Sequence, residues 1–334
     1  MFKTANLIKK NIPLFDKNWF QTGGPAKFYA EPTTELEFQA CINYANTNNL
    51  EIFVLGLGAN ILINDDGFDG LVIRPALQDI TTKYEDIPNA LPELDTESKI
   101  TQAAFVTAGA GVTIESLINY CLDNNITGPE EFSGIPGTIG GSVYINIHYF
   151  KYFLSDFLIQ AKVINKKSGE IKLVDKKWFN FGYDKSTLID KNDFLLNATF
   201  FFNKSTDTQA AFAKGRSIEI IRHRNARYPI THTCGSFFRN FHDNEVTQKI
   251  AGTNNKMIFV AYYFDKLGIK GELKVGDAVV SHKHANMIVN SGKASSSDII
   301  NLARKMQELV KENFGIIPQP ECQLIGFNKY PLLK

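Results

Sequence analysis

A chain of 334 residues that is 44% hydrophobic and 21% charged can bury a large core and is long enough for two or three domains. Its 36 lysines and arginines nearly cancel 35 aspartates and glutamates, and the net charge of +1 leaves no basic footprint for nucleic acid or an acidic membrane. No apolar run approaches the roughly 20 residues that span a bilayer, and Met1 to Asn11 lacks a signal-peptide core, so a cytoplasmic protein without a membrane partner is expected.

Pattern and punctuation give an α/β beginning. Phe28 and Tyr29 lie in a strand-like run, Thr34 with Glu37 forms a capping box, and Leu36, Ala40, Cys41 and Tyr44 then share a helical face. Short strands follow at Ile52 to Leu55, Ile61 to Ile63 and Leu71 to Ile73, with the loop Gly56 to Asn60 at a strand's carboxyl end, where α/β folds place ligands. That loop lacks the G-x-G-x-x-G spacing of a nicotinamide-binding fingerprint; a phosphate-cradling role stays open. Gln78 to Thr101 is polar with two prolines and reads as a surface hairpin or loop between domains.

A strand at Ala103 to Ala108 and a helix capped by Thr113 and running through Asn125 lead into Glu130 to Asn146, which carries Gly134, Pro136, Gly137, Gly140 and Gly141. Such a stretch is either a tight packing loop or a cradle whose main-chain N–H groups meet an anion. Strands at Ala161 to Asn165, Ile171 to Val174 and Phe194 to Phe202 suggest a second α+β part. The helix Thr208 to Arg227 ends in Arg222, His223, Arg224 and Arg227 before Pro229, a cationic end that the helix dipole favours with or without a ligand. Strands are expected around Ile258 to Tyr263 and over Ala278 to Val289, the latter carrying His282 and His284. A last helix from about Ser297 presents Leu302, Met306, Leu309 and Val310 to the core and stops at Gly315. Cys41, Cys121, Cys234 and Cys322 form no C-x-x-C pair and the six histidines no ligand pattern, so reduced thiols and no metal site are expected.

Four ordered signatures carry a resemblance. They are T-G-G-P-A at Thr22 to Ala26; V-L-G-L-G-A-N-I-L-I at Val54 to Ile63, followed by D-D-G-F-D-G; A-G-A-G-V, then G-I-P-G-T-I-G-G; and G-S-F-F-R-N with P-E-C-Q-L-I-G. Their order and spacing resemble the UDP-N-acetylenolpyruvoylglucosamine reductase (MurB) family of peptidoglycan synthesis, in its shorter subtype. The resemblance implies an α+β protein: a vanillyl-alcohol-oxidase-type, two-part FAD-binding unit with α/β character plus a C-terminal α+β substrate domain. The implied ranges are 1–75 and 76–228 for the flavin-binding parts, with the tail 322–334 returning to the second, and 229–321 for the substrate domain.

It further implies an NADPH-consuming reductase with one non-covalent FAD, acting on a UDP-sugar; a monomer is expected, with an oligomer left open. Gly56, Leu57, Gly58, Ala59, Asn60 and Ile61 would hold the flavin diphosphate together with Gly134, Ile135, Gly137, Thr138, Gly140, Gly141, Ser142 and Val143, and Arg224 would touch the flavin. Ser236 matches the serine that protonates carbon, Glu321 the glutamate that supports the enolate, and Tyr183, Arg227, Asn240 and His284 substrate positions. The chain departs from the pattern in three places. Asp184 stands where the family has an arginine on the substrate carboxylate, which makes Lys185 or Arg239 the replacement cation; His148-Tyr149-Phe150-Lys151 replaces a glycine-containing loop; and Gln323 replaces an arginine. Another flavin enzyme on the same scaffold, or a silent UDP-sugar-binding flavoprotein, are the alternative readings.

Overall fold

The structure, a computed structural model, describes residues 7–86, 102–190 and 192–334. The chain forms two compact units, one made of residues up to Lys9 with Tyr29–Leu57 and Gly70–His223, the other of Lys10–Phe28, Gly58–Asp69 and Arg224–Lys334. The boundaries differ from the three consecutive ranges expected from the motifs, because the chain passes from one unit to the other at several points early in the sequence.

The first unit is built on an antiparallel sheet in the order Ile171–Asp175, Leu158–Asn165, Asp193–Lys204, Gln102–Gly109, Ile80–Asp86. Asp193–Lys204 is its centre, a run with four phenylalanines and two leucines that suits a strand flanked on both edges. The segment expected as a surface hairpin or loop begins with a strand, as the hairpin alternative requires: Ile80–Asp86 pairs antiparallel with Gln102–Gly109 in full register, Thr81 opposite Thr107 and Lys83 opposite Phe105. Its side chains are mostly polar because it is an edge strand with little of it buried. The rest of that expectation, residues 87–101, lies outside the described residues.

The helix Glu35–Thr47 begins where Thr34 Oγ1 accepts the Glu37 N–H; the other half of the expected capping box is shifted by one residue, the Glu37 carboxylate accepting from the N–H and hydroxyl of Thr33. It is fastened to the sheet by Gln39 Nε2 donating to the Gly169 carbonyl at 2.7 Å and by the Phe38 and Phe194 rings, 6.1 Å apart. Ile52–Val54 runs parallel to Leu71–Ile73, so strand, helix and strand complete the β-α-β pattern in this unit.

The second unit gathers Phe237, Phe238, Val260, Tyr263, Phe264, Ile299, Ala303 and Met306 into one core. The helix Ser296–Phe314 opens with a reciprocal Ser295–Asp298 capping box and closes on Gly315 in the left-handed region, φ 71°. Two expectations change here. Ile258 to Tyr263 is not a strand: Val260–Lys266 is a helix, its buried Val260, Tyr263 and Phe264 spaced three and four apart. Ala278 to Val289 is two antiparallel strands, Ala278–Val280 and Ile288–Asn290, so His282 and His284 sit in the connection and not on a strand.

The tail also departs from the expected return to segment 76–228. Gln323–Ile325 pairs in parallel with Ile61–Ile63, Arg304 Nε donates to the Pro331 carbonyl at 3.2 Å, and Leu332 is buried in the core of the second unit. Gln307, fully buried, donates to the carbonyls of Pro318 at 2.7 Å and Leu333 at 3.2 Å and accepts from the Leu333 N–H at 2.9 Å.

Candidate functional site

In the first unit the two glycine loops meet. A Cβ on Gly56 would lie 2.6 Å from Thr138 Oγ1, and one on Gly137 2.9 Å from Ser142 Oγ, so both glycines are required by close approach. Thr138 N-caps the helix Ile139–Ile145 through the Gly141 N–H, 3.3 Å away. Not every amide of the second loop is turned outward. The Ile135 N–H bonds the Phe132 carbonyl at 3.1 Å, that of Gly140 the Ala110 carbonyl at 2.9 Å, and that of Ser142 the Thr138 carbonyl at 2.8 Å. Ser142 Oγ, in contrast, is buried and has no hydrogen-bond partner among the described residues.

The first loop continues into the second unit. Gly58 adopts φ 67°, and a Cβ there would meet the Asn18 Cα at 2.6 Å, while its carbonyl accepts the Trp19 N–H at 3.0 Å. Asn18 Nδ2 donates to the carbonyls of Leu14 and Thr22, each at 2.8 Å, which locks the side chain. Asn18 Oδ1, Thr22 Oγ1 and Asn60 Oδ1 are buried without a hydrogen-bond partner among the described residues. Each such atom would cost about 1–3 kcal/mol if nothing met it, so the first unit at Ser142 and the second at Asn18, Thr22 and Asn60 each carry polar atoms suited to a ligand. Asn18 and Thr22 were not among the sequence candidates; the T-G-G-P motif drew attention to Thr22, but only burial distinguishes an orphaned hydroxyl from a turn.

Ser236 and Glu321 are brought to one place in the second unit. The extended segment Cys234 to Asn240 runs between two others: Ser236 bridges Met287, the Phe237 N–H bonds the Asn286 carbonyl at 2.8 Å, and the Phe237 carbonyl accepts the N–H groups of Glu321 at 2.9 Å and Cys322 at 3.2 Å. Asn286 closes the bracket with its amide, accepting from Phe238 N at 3.1 Å and donating to the Phe238 carbonyl at 2.7 Å. The aromatic pair Phe237–Phe238 is completely buried and anchors the segment, so both polar residues are held by rigid main chain.

Around that bracket, His284 Nδ1 accepts the Asn286 N–H at 3.3 Å, so Nε2 is the nitrogen left to donate, and burial pushes the ring's pKa down. Its ring is 5.4 Å from Tyr228, over which Arg224 and Arg227 also lie, at 5.3 and 5.8 Å. Asn240 Oδ1 accepts the Val260 N–H at 3.2 Å and so supports the start of a helix. Arg239 is not a spare cation: it grips Glu245 with two hydrogen bonds of 2.7 and 2.8 Å and holds that carboxyl down to about 2.

The first unit holds the remaining candidates on the loop Phe181 to Ser186. Asn146, at φ 54°, ties it down by donating to the Gly182 carbonyl at 2.9 Å, and Ser186 Oγ donates to the Tyr144 carbonyl at 2.5 Å. Tyr183 and Lys185 are exposed, whereas Asp184, at φ 48°, turns inward to His148, with Nδ1 and Oδ1 3.7 Å apart. Among the described residues no group of three or more His, Cys, Asp or Glu could hold a metal, and no helix is long and apolar enough to cross a membrane.

The family model described as FAD binding domain matches residues 26–175, and that described as UDP-N-acetylenolpyruvoylglucosamine reductase, C-terminal domain, matches residues 226–325. The UDP-N-acetylenolpyruvoylglucosamine reductase of Clostridium novyi is 30% identical over 320 residues, which cover 96% of this chain and 92% of that one. That of Lactobacillus johnsonii is 31% identical over 96% of each. The chain belongs to the UDP-N-acetylenolpyruvoylglucosamine reductase family.

The crystal structure of the MurB reductase from Thermus caldophilus superposes with a TM-score of 0.70 over 94% of this chain and 97% of that one at 24% identity, and so shares the fold. As a MurB-family flavoprotein the chain uses FAD, and its residues fit that group. In the first unit the glycine positions leave no room for side chains where Gly56 meets Thr138, and Ser142 offers a buried hydroxyl of the kind a phosphate oxygen meets; in the second unit Asn60 offers a buried amide oxygen suited to a sugar hydroxyl. Asn18 and Thr22 add two more such atoms beside Gly58.

Proposed function

We propose that this protein reduces the enolpyruvyl ether of UDP-N-acetylglucosamine to UDP-N-acetylmuramate with NADPH, as a cytoplasmic monomer. The observation that carries the reading is the Phe237 bracket, which sets Ser236 and Glu321 on adjoining, rigid segments. FAD, when bound, supplies the hydride chemistry between the nicotinamide and the carbon–carbon double bond, held by the two glycine loops with Ser142, Asn60 and Arg224.

The protein's own side chains do the rest. A double bond conjugated to a carboxylate becomes enolate-like when it gains hydride, so it needs a stabiliser for that charge and a proton at the neighbouring carbon. Glu321 supports the charge; the Ser236 hydroxyl delivers the proton and recovers one from solvent. Arg227, Asn240 and His284 hold the UDP portion, the guanidinium suiting phosphate oxygens and His284 Nε2 offering a neutral N–H donor. Tyr183 and Lys185 border the sugar-carboxylate side.

An anaerobic absorbance titration of the holoenzyme tests this. In Ser236→Ala, NADPH still bleaches the flavin band and added enolpyruvyl UDP-sugar fails to restore it; equal loss of both half-reactions would remove Ser236 from the protonation role.

A further inference from the structure

We propose that His148 is the cation for the lone carboxylate of the enolpyruvyl group, and that Asp184 behind it is a positioning residue whose charge lets the ring gain a proton as that carboxylate arrives. The inference rests on the function proposed above and assigns a residue to a role that the sequence left to Lys185 or Arg239.

Placement comes first. The helix Ile139–Ile145 starts at the glycine cradle and is about 10 Å long at 1.5 Å per residue. Its far end holds the loop of Asp184 through the Asn146–Gly182 and Ser186–Tyr144 hydrogen bonds, and His148 follows two residues later. The His148–Asp184 pair is thus fixed one short helix away from the cradle, within the same unit.

Chemistry comes second. Asp184 Oδ2 is buried with no hydrogen-bond partner among the described residues, and the ring is the group placed to balance this carboxyl. The Nδ1 to Oδ1 separation of 3.7 Å is loose, as unliganded sites often are, and closes to a hydrogen bond if the ring becomes cationic. His148 is flanked by Tyr183 at 4.6 Å and Phe153 at 5.3 Å, which hold the ring plane and leave Nε2 as the second donor. The other charged or titratable groups of these segments are engaged or turned away. His223 meets the Tyr149 hydroxyl at 3.2 Å, Lys151 lies over Tyr152 at 5.2 Å, and Lys185 is exposed to solvent.

The proton balance follows. Burial lowers the His148 pKa from its ordinary 6.5 and raises that of Asp184, so the ring is neutral at pH 7 before ligand binds. A second carboxylate beside the ring favours the imidazolium, and the proton is taken from solvent. Affinity for a carboxylate-bearing ligand then falls as pH rises, by up to about tenfold per unit for one linked proton.

Calorimetric titration of the holoenzyme with the enolpyruvyl UDP-sugar, at pH 6.5 to 8.5 and in two buffers of different ionisation enthalpy, reads both quantities. The expected result is uptake of about one proton and a rising Kd, with neither effect for UDP-N-acetylglucosamine, which lacks the carboxylate. His148→Gln binds weakly with no slope, and His148→Arg restores affinity with no slope. A pH-independent Kd in the wild type, the same slope for both sugars, or a slope that survives His148→Gln and disappears in Lys185→Gln would overturn the assignment alone. Failure of the wild type to bind either sugar at any pH would overturn the proposed function with it.

Discussion

A single methyl group at Gly56 tests whether the two glycine loops form one cradle. Gly56→Ala places a carbon 2.6 Å from Thr138 Oγ1, about 0.8 Å inside the 3.4 Å at which ordinary contact begins. Thr138 cannot swing away freely, because the same oxygen caps the following helix through the Gly141 N–H. Overpacking of this kind costs about 1–3 kcal/mol and loss of a threonine cap about 1 kcal/mol, whereas the stiffer unfolded chain returns about 0.4–1 kcal/mol. A net loss of about 1–2 kcal/mol is expected, seen as a Tm lower by a few degrees and FAD bound roughly tenfold more weakly. The assays are thermal unfolding of the apoprotein and titration of it with FAD. In a double-mutant cycle Thr138→Ala removes the oxygen that the new methyl strikes, so the double variant is more stable than the sum of the two changes implies. Full retention of FAD by Gly56→Ala, or strict additivity in the cycle, would refute the close approach as the reason for glycine.

Gly58→Ala is the harsher change, since its obstacle is the Asn18 Cα and its φ of 67° is left-handed; it loses FAD and lowers Tm more than Gly56→Ala does. Gln307→Leu strands the carbonyls of Pro318 and Leu333 and the Leu333 N–H inside the protein, so chemical denaturation reports a loss of about 2–5 kcal/mol at an unchanged m-value. Glu245 is held at about 2 by Arg239, below its ordinary 4.5, so its stabilising effect is complete above about pH 4.5 and is lost as pH falls toward 2. The Tm gap between wild type and Glu245→Gln is therefore widest near neutrality and narrows as pH drops from 4.5; with both side chains partly in solvent, the gap corresponds to about 1 kcal/mol or less.

What the sequence revealed and what it hid divide along a physical line. Caps and glycine stops are local, and Thr34, Thr113 and Gly315 act as the sequence indicates. Glycine-rich loops announce close approach, although the sequence could not tell that Gly140 spends its amide on Ala110. The strand Ile80–Asp86 agrees with the hairpin alternative for that segment, but an exposed edge carries no apolar alternation to decide between hairpin and loop. Ile258 to Tyr263 misled in the other direction: its aromatic and β-branched residues suit a strand, and burial of Val260, Tyr263 and Phe264 in a shared core made a helix instead. Orphaned atoms at Asn18, Thr22 and Asp184, and the capture of Arg239 by Glu245, are long-range or geometric facts that no spacing encodes.

The bracket around Phe237 also sets an order of events in synthesis. The backbone partners of that residue are Asn286 and the pair Glu321 and Cys322, both made well after it. At about 5–20 residues per second a nascent chain spends seconds with Phe237 and Phe238 translated and without partners. Two fully buried aromatics side by side are then a binding motif for chaperones and a seed for aggregation. Ribosome-bound chains arrested before residue 320 should carry the first unit folded and this pair exposed, and it is residues 320–322 that end the vulnerable interval.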